Sequence, residues 1–172
     1  MECERKVKMK FRRQKDIFET KEICDVPRSE MEIYRIARKE YRGLCFIDIR
    51  VFRRALEDSD RLVPLWNKGI WIEDVFLDDV IAGLTKAQDA PCVEKPLNTS
   101  PLEKTEIVIE QIPATEREVY RITKGHEFVE IRRYMKIIGD KWRCYQTKGI
   151  VIQESCLEDV IKGLKRARTR KS

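Results

Sequence analysis

The sequence predicts an α+β chain made by tandem duplication: four antiparallel strands followed by one helix, twice over, with the two repeats forming an intramolecular pseudo-dimer. Three observations lead there. Residues 66–87, WNKGIWIEDVFLDDVIAGLTKA, and 146–167, QTKGIVIQESCLEDVIKGLKRA, are identical at 11 of 22 positions at an offset of 80. Upstream, FIDIRVF (46–52) matches FVEIRRY (128–134) at an offset of 82, and YRI (34–36) matches YRI (120–122) at 86, as Pro27 matches Pro113. Finally, Leu77, Val80, Ile81 and Leu84 recur as Leu157, Val160, Ile161 and Leu164, the i, i+3, i+4, i+7 stripe of a helix with one apolar face.

Each element follows in order. An opening strand (KEICDV; EIVIEQI) ends at the shared proline, EIYRIAR or EVYRITK follows, and Gly43 or Gly125 marks a turn. The longest strand comes next, LCFIDIRVF or HEFVEIRRY, then a polar loop and a short strand, GIWI or GIVI. The helix closes each unit and is expected to cover that unit's own sheet, with Ser155 and Glu158 suggesting a capping box at the second. The division is a basic arm at 1–15, a first repeat at 16–88, a linker at 89–103 with three prolines, a second repeat at 104–168 and the end of a basic tail at 169–172. Repeats of roughly 70 residues are marginal alone, so a monomer whose repeats pair is favoured over a homodimer.

Composition narrows the function. The chain has 172 residues, 42% hydrophobic and 38% charged, with a net charge of +6. No stretch approaches the ~20 apolar residues of a membrane-spanning helix, and the charged N-terminus does not resemble a signal peptide, so an intracellular place without membrane is expected: nucleus in a eukaryote, otherwise cytoplasm or nucleoid. Residues 1–15 carry a net +5 and 162–172 a net +6, leaving −5 for the body between them. Such arms either meet a polyanion, most often nucleic acid, or simply maintain solubility. Six cysteines without metal-ligand or redox spacing, beside a single histidine, His126, read as reduced thiols, with no metal and no cofactor.

Strand parity points to a site. In the long strand Cys45, Ile47, Ile49 and Val51 share an apolar face suited to lie beneath a helix. The opposite face carries Leu44, Phe46, Asp48, Arg50 and Phe52, matched by His126, Phe128, Glu130, Arg132 and Tyr134. One helix covers one side of a sheet, so this second face is expected to be open. Aromatics that stack bases, with Arg engaging phosphate, are the means of single-strand binders. Packing of Phe46 and Phe128 against a sister repeat or another subunit is the alternative.

YRGLCFIDIRVF (41–52), then NKGIWI (67–72) and a helix, resembles the transcriptional coactivator family of positive cofactor four, and the resemblance covers nearly all of both repeats. Its most specific part is IDIR with a downstream KGI, present once and echoed in the second repeat. The resemblance implies binding of single-stranded DNA, by a dimer whose two sheets form antiparallel grooves, in transcription, replication or repair. It implies nucleic-acid roles for Tyr41 and Arg42 at the turn, for Arg50, Phe52 and Lys68, and for Lys124, Arg132, Tyr134 and Lys148 in the second repeat. Leu44 and His126 depart from the family's second turn lysine, and Thr123 from its turn aromatic. Phe46 and Phe128 join the candidates from strand parity. Trp66 and Trp142, at non-equivalent loop positions, are either stacking platforms or loop anchors.

Enzyme signatures are lacking: no glycine-rich phosphate loop, no GxSxG and no HExxH, hence no catalytic residue is assigned. Asp48 and Glu130 are expected to pair with cations on neighbouring strands. The expected function is single-stranded nucleic-acid binding, chiefly DNA with RNA as an alternative, with little sequence specificity, in transcription regulation or DNA maintenance. Transcription machinery is a further candidate partner. The competing expectation is a protein-interaction adaptor, or coactivator, that uses the same sheets for protein partners.

Overall fold

The structure, a computed structural model, describes residues 19–58, 60–94 and 106–169. The N-terminal arm, most of the linker and residues 170–172 of the tail lie outside the described residues. The strands are β1 (Glu19–Pro27), β2 (Glu32–Tyr41), β3 (Leu44–Arg54) and β4 (Leu62–Glu73), followed by a 3-10 turn at Asp74–Phe76 and α1 (Leu77–Asp89). Then come β5 (Ile107–Thr115), β6 (Glu118–Gly125), β7 (Phe128–Lys136), β8 (Trp142–Gln153) and α2 (Glu154–Thr169). All eight strands belong to one antiparallel sheet in the order β1-β2-β3-β4-β8-β7-β6-β5. That order is a palindrome about the β4–β8 seam, where Gly69 pairs with Gly149.

The fold is α+β and antiparallel as the sequence predicts, but the layering is different. The repeats do not form separate sheets, and neither helix covers its own. α1 packs on β5 and β6, while α2 packs chiefly on β1 and β2, and the two helices touch each other. Two helix glycines mark the crossing. A Cβ on Gly83 would stand 2.5 Å from Ile122 Cδ1, and one on Gly163 would stand 2.5 Å from Ile36 Cδ1, each in the opposite repeat. β4 and β8 are innermost, so a helix leaving either strand starts at the seam and crosses it. The predicted apolar stripes are correct: Leu77, Val80, Ile81 and Leu84 and their equivalents are all buried, a contribution of about 1.5–3 kcal/mol for each large side chain.

Two hydrogen-bond pairs tie the halves together in the same way twice. Tyr34 donates to the Val151 carbonyl and accepts from the Gln153 amide, both at 3.1 Å. Tyr120 donates to the Trp71 carbonyl at 3.3 Å and accepts from the Glu73 amide at 3.4 Å.

Strand register explains the drifting offset. Lys39 pairs with Phe46, leaving six residues in the hairpin, whereas Gly125 pairs with Phe128, leaving two. Those four residues account for the step from 86 to 82. Arg54 pairs with Leu62 across seven residues and Lys136 with Trp142 across five, which accounts for the step to 80. Tyr41 and Arg42 therefore have no counterparts in the second repeat, and Thr123 and Lys124 correspond to Ala37 and Arg38. The first hairpin turns on Arg42 and Gly43, with φ of 51° and 76°, the left-handed pair that a two-residue hairpin turn needs. Ser155 lies inside the first turn of α2, with Oγ 3.9 Å from Cys156 Sγ, so the predicted capping box does not form.

Candidate nucleic-acid interface

Both helices lie on the face that carries Tyr34, Ile36, Tyr120 and Ile122, so among the described residues the opposite face of the sheet carries no helix. In the first half that face presents Phe46, Asp48, Arg50 and Phe52 from β3. Their cross-strand neighbours are Lys39, Ala37, Arg35 and Ile33 on β2, and Glu73, Trp71, Gly69 and Pro64 on β4. The predicted alternation is correct, but its centre is closed. Asp48 is only 3% exposed: its carboxylate accepts from Lys39 Nζ at 2.6 Å and faces Arg50 Nη2 at 3.3 Å.

Arg50 is a brace rather than an open phosphate contact. It is 7% exposed, bonds Asp48, and donates from Nη1 to the Trp66 carbonyl at 3.0 Å. The reason lies in β4. Arg50 pairs with Gly69 but Phe52 pairs with Pro64, so one residue of β3 faces four of β4, Leu65 to Lys68. That bulge leaves carbonyls without ladder partners, and Arg50 satisfies one of them. Its guanidinium lies so close over Gly69 that a Cβ there would stand 2.8 Å from Cζ, which explains the glycine of Lys-Gly-Ile.

The second half repeats the device. Arg132 bonds Glu130 and donates from Nη1 to the Tyr145 and Gln146 carbonyls at 3.3 and 3.2 Å. Burial lowers the pKa of this guanidinium, but the Glu130 carboxylate outweighs that and holds it above its ordinary value. A Cβ on Gly149 would stand 2.9 Å from Arg132 Cζ.

The two bulges hold out Trp66, 72% exposed, with Lys68, and Gln146 with Lys148. Trp66 has the Arg50 guanidinium 5.2 Å from its ring, and Lys148 has its ammonium 4.3 Å from the Tyr145 ring. Phe46 and Trp71 meet with centroids 5.7 Å apart at 42°, and Lys39 Nζ stands 5.3 Å from the Trp71 ring. Phe52 lies beneath the Arg35 guanidinium at 4.8 Å, and Arg35 is itself held by Asp25 and Glu22. At the hairpin tip Arg42 stacks on Tyr41 at 5.0 Å. Aromatic faces next to cations are thus grouped on one surface, with Phe46, Phe52, Trp66 and Trp71 together and Tyr41 with Arg42 at its end, while Lys68 is exposed on the bulge.

The second half is poorer. Phe128 lies over Gly125, where the first half has Lys39. Tyr134 carries Arg121 at 4.2 Å, and burial pushes its hydroxyl pKa up. Val151 occupies the place of Trp71 and Gln146 that of Trp66. Trp142 pairs with Lys136 at the base of the β7–β8 loop, away from the bulge, and is equivalent to Leu62.

Lys124 does not belong to this surface. It is 1% exposed on the helix side, where Nζ donates to the Ala87 and Ala90 carbonyls at 2.9 and 2.7 Å and pairs with Glu154 at 3.0 Å. Arg38 does the same in the first half, donating to Ala167 and pairing with Asp74. Each cation caps the C-terminus of the helix that crosses from the other repeat. His126, at the second hairpin, has Nδ1 3.0 Å from the Val93 carbonyl.

Three residues escaped sequence reasoning: Lys39, Trp71 and Arg133. Parity carried into β4 finds Trp71, since Gly69, Trp71 and Glu73 share a face. Arg133 is visible as an arginine where the first repeat has Val51. Among the described residues no helix is long and apolar enough to cross a membrane, and no group of three His, Cys, Asp or Glu side chains is placed to hold a metal. No family model matches the chain, and no curated protein matches it either.

Proposed function

We propose that this chain binds single-stranded nucleic acid, chiefly DNA, on the helix-free face of its sheet, with little sequence preference. One observation carries the reading: Phe46, Trp71, Phe52 and Trp66 lie on one surface with Lys39 and the Tyr41–Arg42 tip, and Lys68 is exposed on the bulge that holds out Trp66. Every base offers a π-face, so stacking on such rings is worth about 1–3 kcal/mol per base with little regard to identity, while lysines beside them meet phosphates. The resemblance of IDIR and the downstream KGI to the positive cofactor four family supports the same function and, with it, a role in transcription or DNA maintenance. Arg50 and Arg132 act at one remove, by holding the bulges that display Trp66, Lys68 and Lys148. The two halves serve as the two subunits of a dimer, so the working unit is a single chain.

One observation favours a protein partner instead. Leu56 and Ile138, 95% and 98% exposed, stand at equivalent places in the β3–β4 and β7–β8 loops. Labelled single-stranded DNA, RNA and duplex, titrated at two salt concentrations, decide between them. Tight single-strand binding whose affinity falls with salt supports the proposal, with a log–log slope of about −0.7 per phosphate contacted. Equal or stronger duplex binding, or none, counts against it.

A further inference from the structure

We propose that the cleft at the seam between the two halves is a pocket for a single nucleobase, stacked on Trp71 with its phosphate held by Lys148. This rests on the single-strand function proposed above. The cleft measures about 240 Å³ and is lined by Phe46, Gly69 and Trp71 of the first half and Arg133, Thr147 and Lys148 of the second. Ordinary small-molecule pockets begin at about 300 Å³, so this one suits one planar ring system rather than a larger ligand. Gly69 adds no side chain to the surface beside Trp71. The Trp71 ring is fixed by Phe46 at 5.7 Å and by Lys39 at 5.3 Å, yet remains 36% exposed. Arg133 is anchored to Glu118 at 2.5 Å and Glu73 at 3.4 Å, so it shapes the wall, Arg50 is held by Asp48 and the Trp66 carbonyl, and Lys148 is an exposed cation on the lining.

The two sides of the seam differ. At the mirrored place the seam offers Phe128, Gly149, Asn67 and Lys68, but Val151 stands where Trp71 would be and Val51 where Arg133 would be. A two-fold symmetric seam accepts a strand equally well in either direction. A base pocket on one side only gives the bound strand a fixed register and polarity.

The test uses the full chain carrying Trp66→Phe and Trp142→Phe, which leaves Trp71 as the one tryptophan of three. Oligo(dT) should quench its emission, and an abasic oligonucleotide of equal length should not. In the natural background Trp71→Val should weaken oligo(dT) binding about tenfold or more, within the range expected for one stacked base. Val151→Ala should leave it within twofold. Lys148→Gln, at an exposed position, should weaken binding of both oligonucleotides while leaving the thermal melt of the free protein within a few degrees of the parent. Oligo(dT) binding that leaves Trp71 emission unchanged, or that changes it no more than the abasic strand does, overturns the pocket and leaves the single-strand function standing. Failure of the unaltered chain to bind any single strand overturns both.

Discussion

Replacing Lys124 with Met separates the role of this residue in the fold from the nucleic-acid role that the sequence suggested. Methionine keeps most of the aliphatic stem but removes the ammonium, which donates to Ala87 O at 2.9 Å and Ala90 O at 2.7 Å and pairs with Glu154 at 3.0 Å. Hydrogen bonds from a charged donor contribute about 1.5–3 kcal/mol each, and here the two orphaned carbonyls end α1 beneath β6. Relief from burying the charge offsets part of that loss. A net destabilisation of about 3 kcal/mol follows, which for a chain of this size lowers Tm by about 6–12 °C. Thermal melts followed by circular dichroism measure it, with oligo(dT) affinity measured on the folded variant in parallel. The expected result is a large fall in Tm with affinity within twofold of the unaltered protein. A variant that melts within 2 °C of the parent yet loses affinity severalfold would refute the placement of Lys124.

Three further outcomes are expected. Residues 19–94 alone should fail to fold as a monomer, because the apolar stripe of α1 belongs on β5 and β6; a cooperative melt from a species of monomer mass in sedimentation would contradict this. Gly69→Ala should displace Arg50 from Asp48 and the Trp66 carbonyl, costing about 1–3 kcal/mol in denaturant unfolding, and an unchanged midpoint would show that the bulge does not need its brace. Acid should weaken the fold through Glu32 and Glu118. Burial raises both carboxyls, but Arg53 and Arg28 at the first, and Tyr145 and Arg133 at the second, outweigh it and hold them below their ordinary value. Their stabilisation is complete above about pH 4.3 and disappears as pH falls through the lower folded values. The Tm advantage of the parent over Glu32→Gln with Glu118→Gln should therefore shrink between pH 5 and pH 3; an advantage that grows over that range would reverse the assignment.

The sequence shows the helix stripes and the alternation along β3 because both are local: periods of 2.0 and 3.6 residues are printed in the order of side chains. The fourth strand of each repeat is longer than the GIWI and GIVI that the sequence suggests: β4 and β8 run over Leu62–Glu73 and Trp142–Gln153, so Trp66 and Trp142 lie within strands rather than in loops. The crossing of the helices is not local. Leu77, Val80, Ile81 and Leu84 declare that a face is buried, and nothing in their spacing states which sheet buries it. Burial of charge was hidden for a related reason. Asp48 and Arg50 stand on the open face as parity requires, yet Lys39, Trp71 and the bulged β4 close over them, and the bulge appears only when the registers of two strands are compared. Lys124 has two possible counterparts because the β2–β3 and β6–β7 turns differ in length. Counted from YRI, it falls on Arg38 and the helix cap; counted from the long strand, it falls on the turn cation.

The most direct test of the central claim is a map of where a single strand touches the protein. Backbone amide chemical shifts of the full chain should be recorded with and without saturating oligo(dT). Changes are predicted at the Tyr41–Arg42 hairpin, along Phe46–Phe52 and in the bulge at residues 65–68, with α1 and α2 undisturbed. Shifts concentrated on the two helices, or none at saturating strand, would contradict the account.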